Sequence, residues 1–289
     1  MLKAMLKTMR PKQWAKNVFL FAALVFDRKL TNVDAILHTI IGVVAFSLIA
    51  SVVYIINDIA DVEADRLHPT KRNRPIASGK LSIRAASILA LLLLVLSFPI
   101  AYWLSPSFAL IALLYLCINL VYSKWLKHIA LLDIILLASL YVLRVAAGVA
   151  LIEVVRFSPW IYIFTVFLAL LIGTGKRRAE LSELAGKPNE QRRVLDGYTV
   201  SFLDQLITLA SGMTIITYSL YTFSAPNLPE NHLMMLTIPF VMYGIFRYQY
   251  MLQVMNTGSA PEDLVLSDRP LQAAIVLWGL AVLVVFYIS

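Results

Sequence analysis

Charge is scarce in this chain. Only 15% of its 289 residues are Asp, Glu, Lys or Arg, and 60% are hydrophobic. Soluble domains carry about 25% charged and about 45–50% apolar residues, so a soluble globular enzyme and a disordered chain are both excluded. Cysteine is nearly absent. Cys117 stands alone inside an apolar run, which excludes an intrachain disulfide and a cysteine zinc site. The histidines His38, His68, His128 and His232 are scattered without HxxxH spacing, which argues against a histidine metal cluster. The opening MLKAMLKTMRPKQW is too polar for the apolar core of a cleavable signal peptide. No soluble domain, linker, low-complexity tract, clear repeat or alternating strand pattern is visible. A membrane chain of this kind closes its backbone hydrogen bonds as a helical bundle and not as a barrel.

Long apolar runs are what the chain has instead. Eight segments reach the roughly 20 residues needed to cross a bilayer: about 35–56, 85–104, 106–123, 129–152, 157–175, 205–225, 232–250 and 271–288. A ninth, 13–26, is short and contains Lys16. Charge decides its case. The basic regions 1–16 and 57–84 share one side of the membrane only if both 13–26 and 35–56 cross it. The sequence therefore predicts an all-α membrane protein, a bundle of nine transmembrane helices in a single domain over 1–289, with its first residues in the cytoplasm. On that topology 21 of the 25 Lys and Arg lie on the cytoplasmic side, while Arg28, Lys29 and Arg156 lie opposite and Arg144 lies within a span. The net charge of +8 is thereby explained by the positive-inside bias, without nucleic acid.

The most informative stretch closes the second span: Asn57-Asp58-Ile59-Ala60-Asp61-Val62-Glu63-Ala64-Asp65-Arg66. On a helix at about 100° per residue, Asn57, Asp58, Asp61 and Asp65 share one face and Glu63 points elsewhere. Carboxylates this close repel unless a cation sits between them. Hard oxygen ligands at this spacing, with few other protein ligands, suit Mg²⁺ holding a substrate phosphate. A solvated helix end, neutralised by the basic loop that follows, is the plainer alternative. That loop, Leu67-His68-Pro69-Thr70-Lys71-Arg72-Asn73-Arg74-Pro75-Ile76-Ala77-Ser78-Gly79, offers Lys71, Arg72 and Arg74. Metal-binding carboxylates followed by cations read as a diphosphate site, with the metal on one side of the phosphates and the cations on the other.

NDxxDxxxD followed by a basic RPxxxG segment resembles the UbiA superfamily of intramembrane prenyltransferases, and the resemblance runs through most of the chain. Three shorter stretches narrow it: RPKQWAKN at 10–17, the HPTKRNRPIASG form of the loop, and DRP at 268–270. Together they resemble the decaprenyl-phosphate phosphoribosyltransferase branch, which joins phosphoribosyl pyrophosphate (PRPP) to a polyprenyl phosphate. UbiA prenyltransferases carry a second motif, DxxxD, between helices six and seven. This chain has Gly175-Lys176-Arg177-Arg178-Ala179-Glu180-Leu181-Ser182-Glu183 there, with no DxxxD between 173 and 200. A donor with a separate 5-phosphate makes sense of the departure. One acidic motif manages the pyrophosphate, and cations are needed for the remaining phosphate. Lys176 and Arg177 are the candidates, with Glu180 orienting a cation or touching ribose hydroxyls, and Arg192 and Arg193 add charge downstream. An exposed helix with a Lys176–Glu180 pair worth about 0.2–0.5 kcal/mol is the competing explanation.

The resemblance also favours Gln13, Lys16 and Asn17 as donor contacts, against simple interfacial anchoring by Trp14 and snorkelling lysines. Asn119-Leu120-Val121-Tyr122-Ser123 with its following lysines resembles the superfamily's N-x-x-Y-S segment, which implies phosphate contacts for Tyr122 and Lys127, with an ordinary interfacial belt aromatic as the alternative for Tyr122. Asp133 and Arg144 lie inside one span, on the same face but about 16 Å apart, so each needs another partner. Arg144 either receives the acceptor's phosphate or ties to another helix. Asp268 and Arg269 close the mouth or simply cap a helix.

The expected chemistry uses Asp58, Asp61 and Asp65, with Asn57, as the Mg²⁺ and catalytic group, and needs no general base, although His68 merits a test. The expected partners are PRPP, a polyprenyl phosphate lipid and the membrane, with a homo-oligomer compatible. The alternative activity is a UbiA-type transfer of a polyprenyl group from its diphosphate to an aromatic or tetrapyrrole acceptor. A transporter without chemistry is a third reading, which gives the paired polar loops no role.

Overall fold

The computed structural model of the chain describes all residues except 153, 155–157, 185–192, 226–227, 230, 256–263, 266 and 288–289, and omits the side chains of 183, 184, 193 and 194. The expectations for Arg156 and Arg192, and for the side chains of Glu183 and Arg193, fall outside the described residues. Every regular element described is helical. The chain divides into two compact units, Met1–Trp125 with Leu143–Val154, and Leu126–Val142 with Val155–Ser289.

The first unit opens with α1 (Leu2–Met9), a 3₁₀ helix (Pro11–Phe21) and α2 (Ala22–Phe26). The long α3 (Val33–Ala60) follows, then the short α4 (Val62–Leu67), α5 (Ile83–Leu104), α6 (Pro106–Lys124) and the second half of α7 (Leu132–Ala150). Side chains that satisfy orphan backbone N–H groups start the long helices. Asn32 accepts from Ala35 N at 3.0 Å, Ser82 from Ala85 N at 3.2 Å, and Ser105 from Phe108 N at 3.3 Å with Pro106 just inside. Helix α3 is the centre of this unit. Its Phe46, Ile49, Val52 and Ile55 are fully buried, and the Phe46 ring stands 4.7 Å from Tyr115 and 6.2 Å from Phe108. Helix α5 instead exposes Ile88, Leu91, Leu92, Val95 and Leu96, the surface a lipid tail covers.

The second unit holds the first half of α7, then α8 (Pro159–Leu184), α9 (Val200–Ser224), α10 (Ile238–Gln253) and α11 (Arg269–Tyr287). Leu171, Ile207, Ile245, Met251, Leu252 and Leu271 form its main core. A smaller cluster joins Ile134 to Leu195, Tyr198 and Leu203.

Among the described residues, seven helices are long and apolar enough to cross a membrane: α3, α5, α6, α7, α8, α9 and α11. The other two segments counted as spans from sequence are built differently. Residues 13–26 are mostly 3₁₀ helix, which rises about 2.0 Å per residue against about 1.5 Å in an α-helix. Pro11–Phe21 and α2 laid end to end therefore extend about 30 Å, the thickness of the hydrocarbon layer. The 3₁₀ helix Leu233–Thr237 with α10 extends about 34 Å by the same reckoning.

Candidate active site

The acidic motif does not sit on one unbroken helix. Helix α3 ends at Ala60, Asp61 leaves helical geometry at φ −95° and ψ 10°, and α4 resumes at Val62. The turn is still bridged, because Asp61 N donates to Asn57 O at 2.9 Å and Asp65 N to Asp61 O at 2.8 Å. Two carboxylates turn inward: Asp58 is 2% exposed and Asp65 3%. Asn57 and Asp61 are half-buried, and Glu63 faces out.

Cations close over these carboxylates. Arg74 Nη1 donates to Asp58 Oδ1 at 3.2 Å and to Asp65 Oδ2 at 2.6 Å, so one guanidinium joins residues about two helical turns apart. Arg10 donates to the same Asp58 Oδ1, with its guanidinium 5.1 Å over the Tyr54 ring. Arg10 takes φ 53°, which lets the chain turn from α1 into the 3₁₀ helix. Sequence reasoning passed over Arg10 as a site residue, although the RPKQWAKN stretch begins with it. Lys71 and Arg72 are exposed on a 3₁₀ turn. His68 Nδ1 accepts from the backbone N–H of Thr70 and Lys71 at 3.2 and 3.3 Å, so the ring braces the loop.

Among the described residues no three His, Cys, Asp or Glu side chains converge tightly enough to cage an ion. Magnesium does not require a cage. It is commonly held by one or two carboxylates together with substrate phosphates and water. The donors Asp58, Asp61, Asp65 and Asn57 are hard oxygens, and the convergence of Asp58 and Asp65 on one positive group shows that the two can share a cation. The donor set fits the metal.

A second polar group lies deeper in the first unit. A 3₁₀ helix has three residues per turn, so Trp14, Asn17 and Leu20 form a straight stripe. Trp14 Nε1 donates to Ser51 Oγ at 3.0 Å, Asn17 Nδ2 donates to Ser47 Oγ at 2.8 Å, and Leu20 is fully buried. Arg144, 4% exposed, donates from Nε to Asn17 Oδ1 at 3.0 Å and from Nη2 to Tyr115 Oη at 2.9 Å. Gly148, one turn beyond Arg144, lets the 3₁₀ backbone approach, since a Cβ there would overlap the Leu20 carbonyl. Gln13 and Lys16 lie half-buried on an adjoining stripe. Tyr122 is buried at the end of α6.

In the second unit Asp133 and Arg177 are both completely buried. Arg177 Nε donates to Asp133 Oδ2 at 2.5 Å, and its Nη1 donates to Glu180. Tyr198 Oη donates to Asp133 Oδ1 at 2.5 Å and accepts from Leu131 N at 2.5 Å. Burial, then the hydrogen bond to Asp133, pushes the Tyr198 phenol well above its ordinary value, so it remains a neutral donor. Lys176 is half-buried, and Lys127 is half-buried on the 3₁₀ turn before α7. Tyr198, like Tyr115, Ser47 and Ser51, was missed from sequence, because nothing in local spacing tells a tyrosine or serine that serves an ion network from one that packs.

The structure thus groups Asp58 and Asp65 with Arg74, Asn17 with Arg144, and Asp133 with Arg177 and Glu180. It leaves Lys71 and Arg72 apart from the carboxylates they follow in sequence.

Residues 18–264 match the UbiA prenyltransferase family. A decaprenyl-phosphate phosphoribosyltransferase of Mycobacterium tuberculosis is 36% identical over 277 residues, covering 94% of this chain and 90% of that one. The protein of the same name from Mycolicibacterium smegmatis is 34% identical over 293 residues, covering 96% and 91%. Among solved structures, a UbiA homolog from Archaeoglobus fulgidus bound to GPP and Mg²⁺ superposes with a TM-score of 0.75 at 20% identity, covering 98% of this chain and 99% of that one. At that identity the likeness is one of fold.

Proposed function

Because the chain belongs to the UbiA prenyltransferase family, we propose that it transfers 5-phosphoribose from PRPP to a polyprenyl phosphate, such as decaprenyl phosphate, releasing pyrophosphate. The observation that carries this reading is the similarity, along nearly the whole chain, to relatives named decaprenyl-phosphate phosphoribosyltransferase. The local chemistry agrees. One segment supplies carboxylates, and the segment that would hold a second acidic motif carries Lys176 and Arg177 instead.

Asp58, Asp61 and Asp65, with Asn57, are the residues that would hold Mg²⁺. When bound, the ion supplies positive charge to the departing pyrophosphate as the C1–O bond breaks. The chain's own groups do the rest. Arg10 and Arg74 offer cations to phosphate oxygens around the same carboxylates, and Lys71 and Arg72 offer theirs from the exposed turn nearby. Asn17 and Arg144, held by Ser47 and Tyr115, present donors to an anionic oxygen. Lys176, Arg177 and Glu180 are assigned to the 5-phosphate and ribose, Tyr122 and Lys127 to phosphate, and Asp133 to positioning Arg177. Gln13 and Lys16 complete the donor contacts. The acceptor phosphate, with a second pKa near 6, is already anionic at neutral pH and attacks C1 without a general base. Direct displacement gives inversion at C1 through an oxocarbenium-like centre.

The same reading takes residues 1–289 as one transmembrane domain crossing nine times, in the plasma membrane, with the acidic motif facing the cytoplasm. The roughly 30 Å reach of the 3₁₀ segment and α2 supports a crossing there.

Purified protein with Mg²⁺, labelled PRPP and polyprenyl phosphate tests the activity. Transfer of label that is lost in Asp58→Ala or Asp61→Ala is expected. Prenylation of an aromatic acceptor from prenyl diphosphate, with PRPP inert, would make the chain a prenyltransferase instead.

A further inference from the structure

A pocket of about 410 Å³ opens in the first unit between α1 and the loop after α4. Lys3, Lys7 and Lys80 line it, with Asn73 and Pro75, and no carboxylate is among its lining residues. Lys3 and Lys7 stand one turn apart on α1, a spacing at which like charges repel unless an anion lies between them. Lys7 Nζ donates a long hydrogen bond, 3.5 Å, to Asn73 O. Three lysines on one concavity, with no carboxylate among the lining residues, suit an anion.

The setting says which anion. Helix α1 is fixed to α3 by one face, where Thr8 and Met9 are buried and Ser51 Oγ donates to Met9 O at 3.1 Å. Met1, Leu2 and Leu6 remain exposed beside the lysines. An amphipathic helix of this pattern, tied to a helix long enough to span a bilayer, lies at the membrane interface with its apolar residues toward the acyl chains. Its lysines are then at headgroup level.

Arg74 links the wall of this pocket to the acidic cluster. It follows the 3₁₀ turn Lys71–Asn73 in extended geometry, at φ −65° and ψ 145°. Asn73 and Pro75 line the pocket, while Arg74 between them joins Asp58 to Asp65. We propose that this pocket binds the phosphate headgroup of an anionic phospholipid, and that its occupancy sets, through Asn73 and Pro75, where Arg74 stands against the two carboxylates. The proposal does not depend on which group the chain transfers.

The test uses the full chain in neutral detergent, titrated with short-chain phosphatidic acid, short-chain phosphatidylcholine or inorganic phosphate. Bound lipid is counted by native mass spectrometry. Phosphatidic acid is expected to bind at least about tenfold more tightly than phosphatidylcholine, and Lys3→Gln/Lys80→Gln to remove most of that preference. Lys3→Arg/Lys80→Arg, which keeps the charges, is expected to retain it. Equal binding of the two lipids, or an unchanged preference in the Gln variant, overturns the site, as does loss of binding in the Arg variant. Displacement of phosphatidic acid by an equal concentration of inorganic phosphate makes the occupant a soluble phosphate and overturns the lipid assignment. Phosphatidic acid is also expected to slow hydrogen exchange across residues 71–81 in the wild type and not in the Gln variant. Unchanged exchange in the wild type overturns the coupling.

Discussion

Arg177 and Asp133 have no exposed surface, so each depends on buried partners, and each is the other's oppositely charged one. Removing one partner of such a pair costs about 3–5 kcal/mol, whereas replacing both by apolar residues of similar size is often neutral. Arg177→Met is therefore expected to lower the unfolding midpoint in detergent sharply, and Asp133→Leu/Arg177→Met to recover most of the loss. The double variant also separates two roles that coincide in the wild type. If Arg177 meets the donor, the recovered protein still shows a raised KM for PRPP. If it only holds Glu180 and Asp133 together, KM returns with stability. Tyr198→Phe takes away one donor to Asp133 and is expected to cost about 1–3 kcal/mol in the same measurement, because the carboxylate oxygen it leaves is buried.

At the scale of elements, the 3₁₀ helix is set by a close backbone approach. A Cβ on residue 148 would run into the Leu20 carbonyl, which cannot move aside as a flexible side chain does. Gly148→Ala is expected to cost about 1–3 kcal/mol by overpacking and to weaken donor binding by displacing Asn17 from Arg144. Thermal unfolding and KM check the two effects. Helices α10 and α11 are joined by another device. Arg247 donates twice to Asp268, at 3.2 and 2.7 Å, and Asp268 Oδ1 accepts from Leu271 N at 2.8 Å. Arg247's hydrogen bond holds the Asp268 carboxyl below the usual carboxylate range. A depressed folded value means that the stabilisation is complete above the unfolded value of about 3.9 and is lost as pH falls through the folded one. Wild type is expected to lose more stability than Asp268→Asn between neutral and strongly acid pH, measured as unfolding midpoints.

These elements also show what the sequence discloses. Apolar runs and charge asymmetry are averages over many residues, so the all-helical membrane architecture is legible from them. The acidic motif is legible because its spacing is local. The break at Asp61, the 3₁₀ winding of 11–21 and the reach of Arg10 to Asp58 are not. Each depends on packing against residues far along the chain, and an ideal α-helical wheel misplaces the side chains concerned. Arg144 was legible as a residue needing a partner, but Asn17 as that partner was not.

The whole molecule makes one claim about sidedness. With Cys117→Ser as background, single cysteines at Lys3, Thr31 and Ser78 are expected to divide under an impermeant thiol reagent, Lys3→Cys and Ser78→Cys reacting from one side and Thr31→Cys from the other. Reaction of all three from one side would remove the first two crossings. The central claim concerns the carboxylates at the end of α3, and calorimetric titration of the purified full chain with PRPP reaches it most directly. Binding is expected with Mg²⁺, to vanish when EDTA replaces it, and to weaken about tenfold or more in Asp58→Asn. Binding of equal strength in EDTA, or in the variant, would contradict the account.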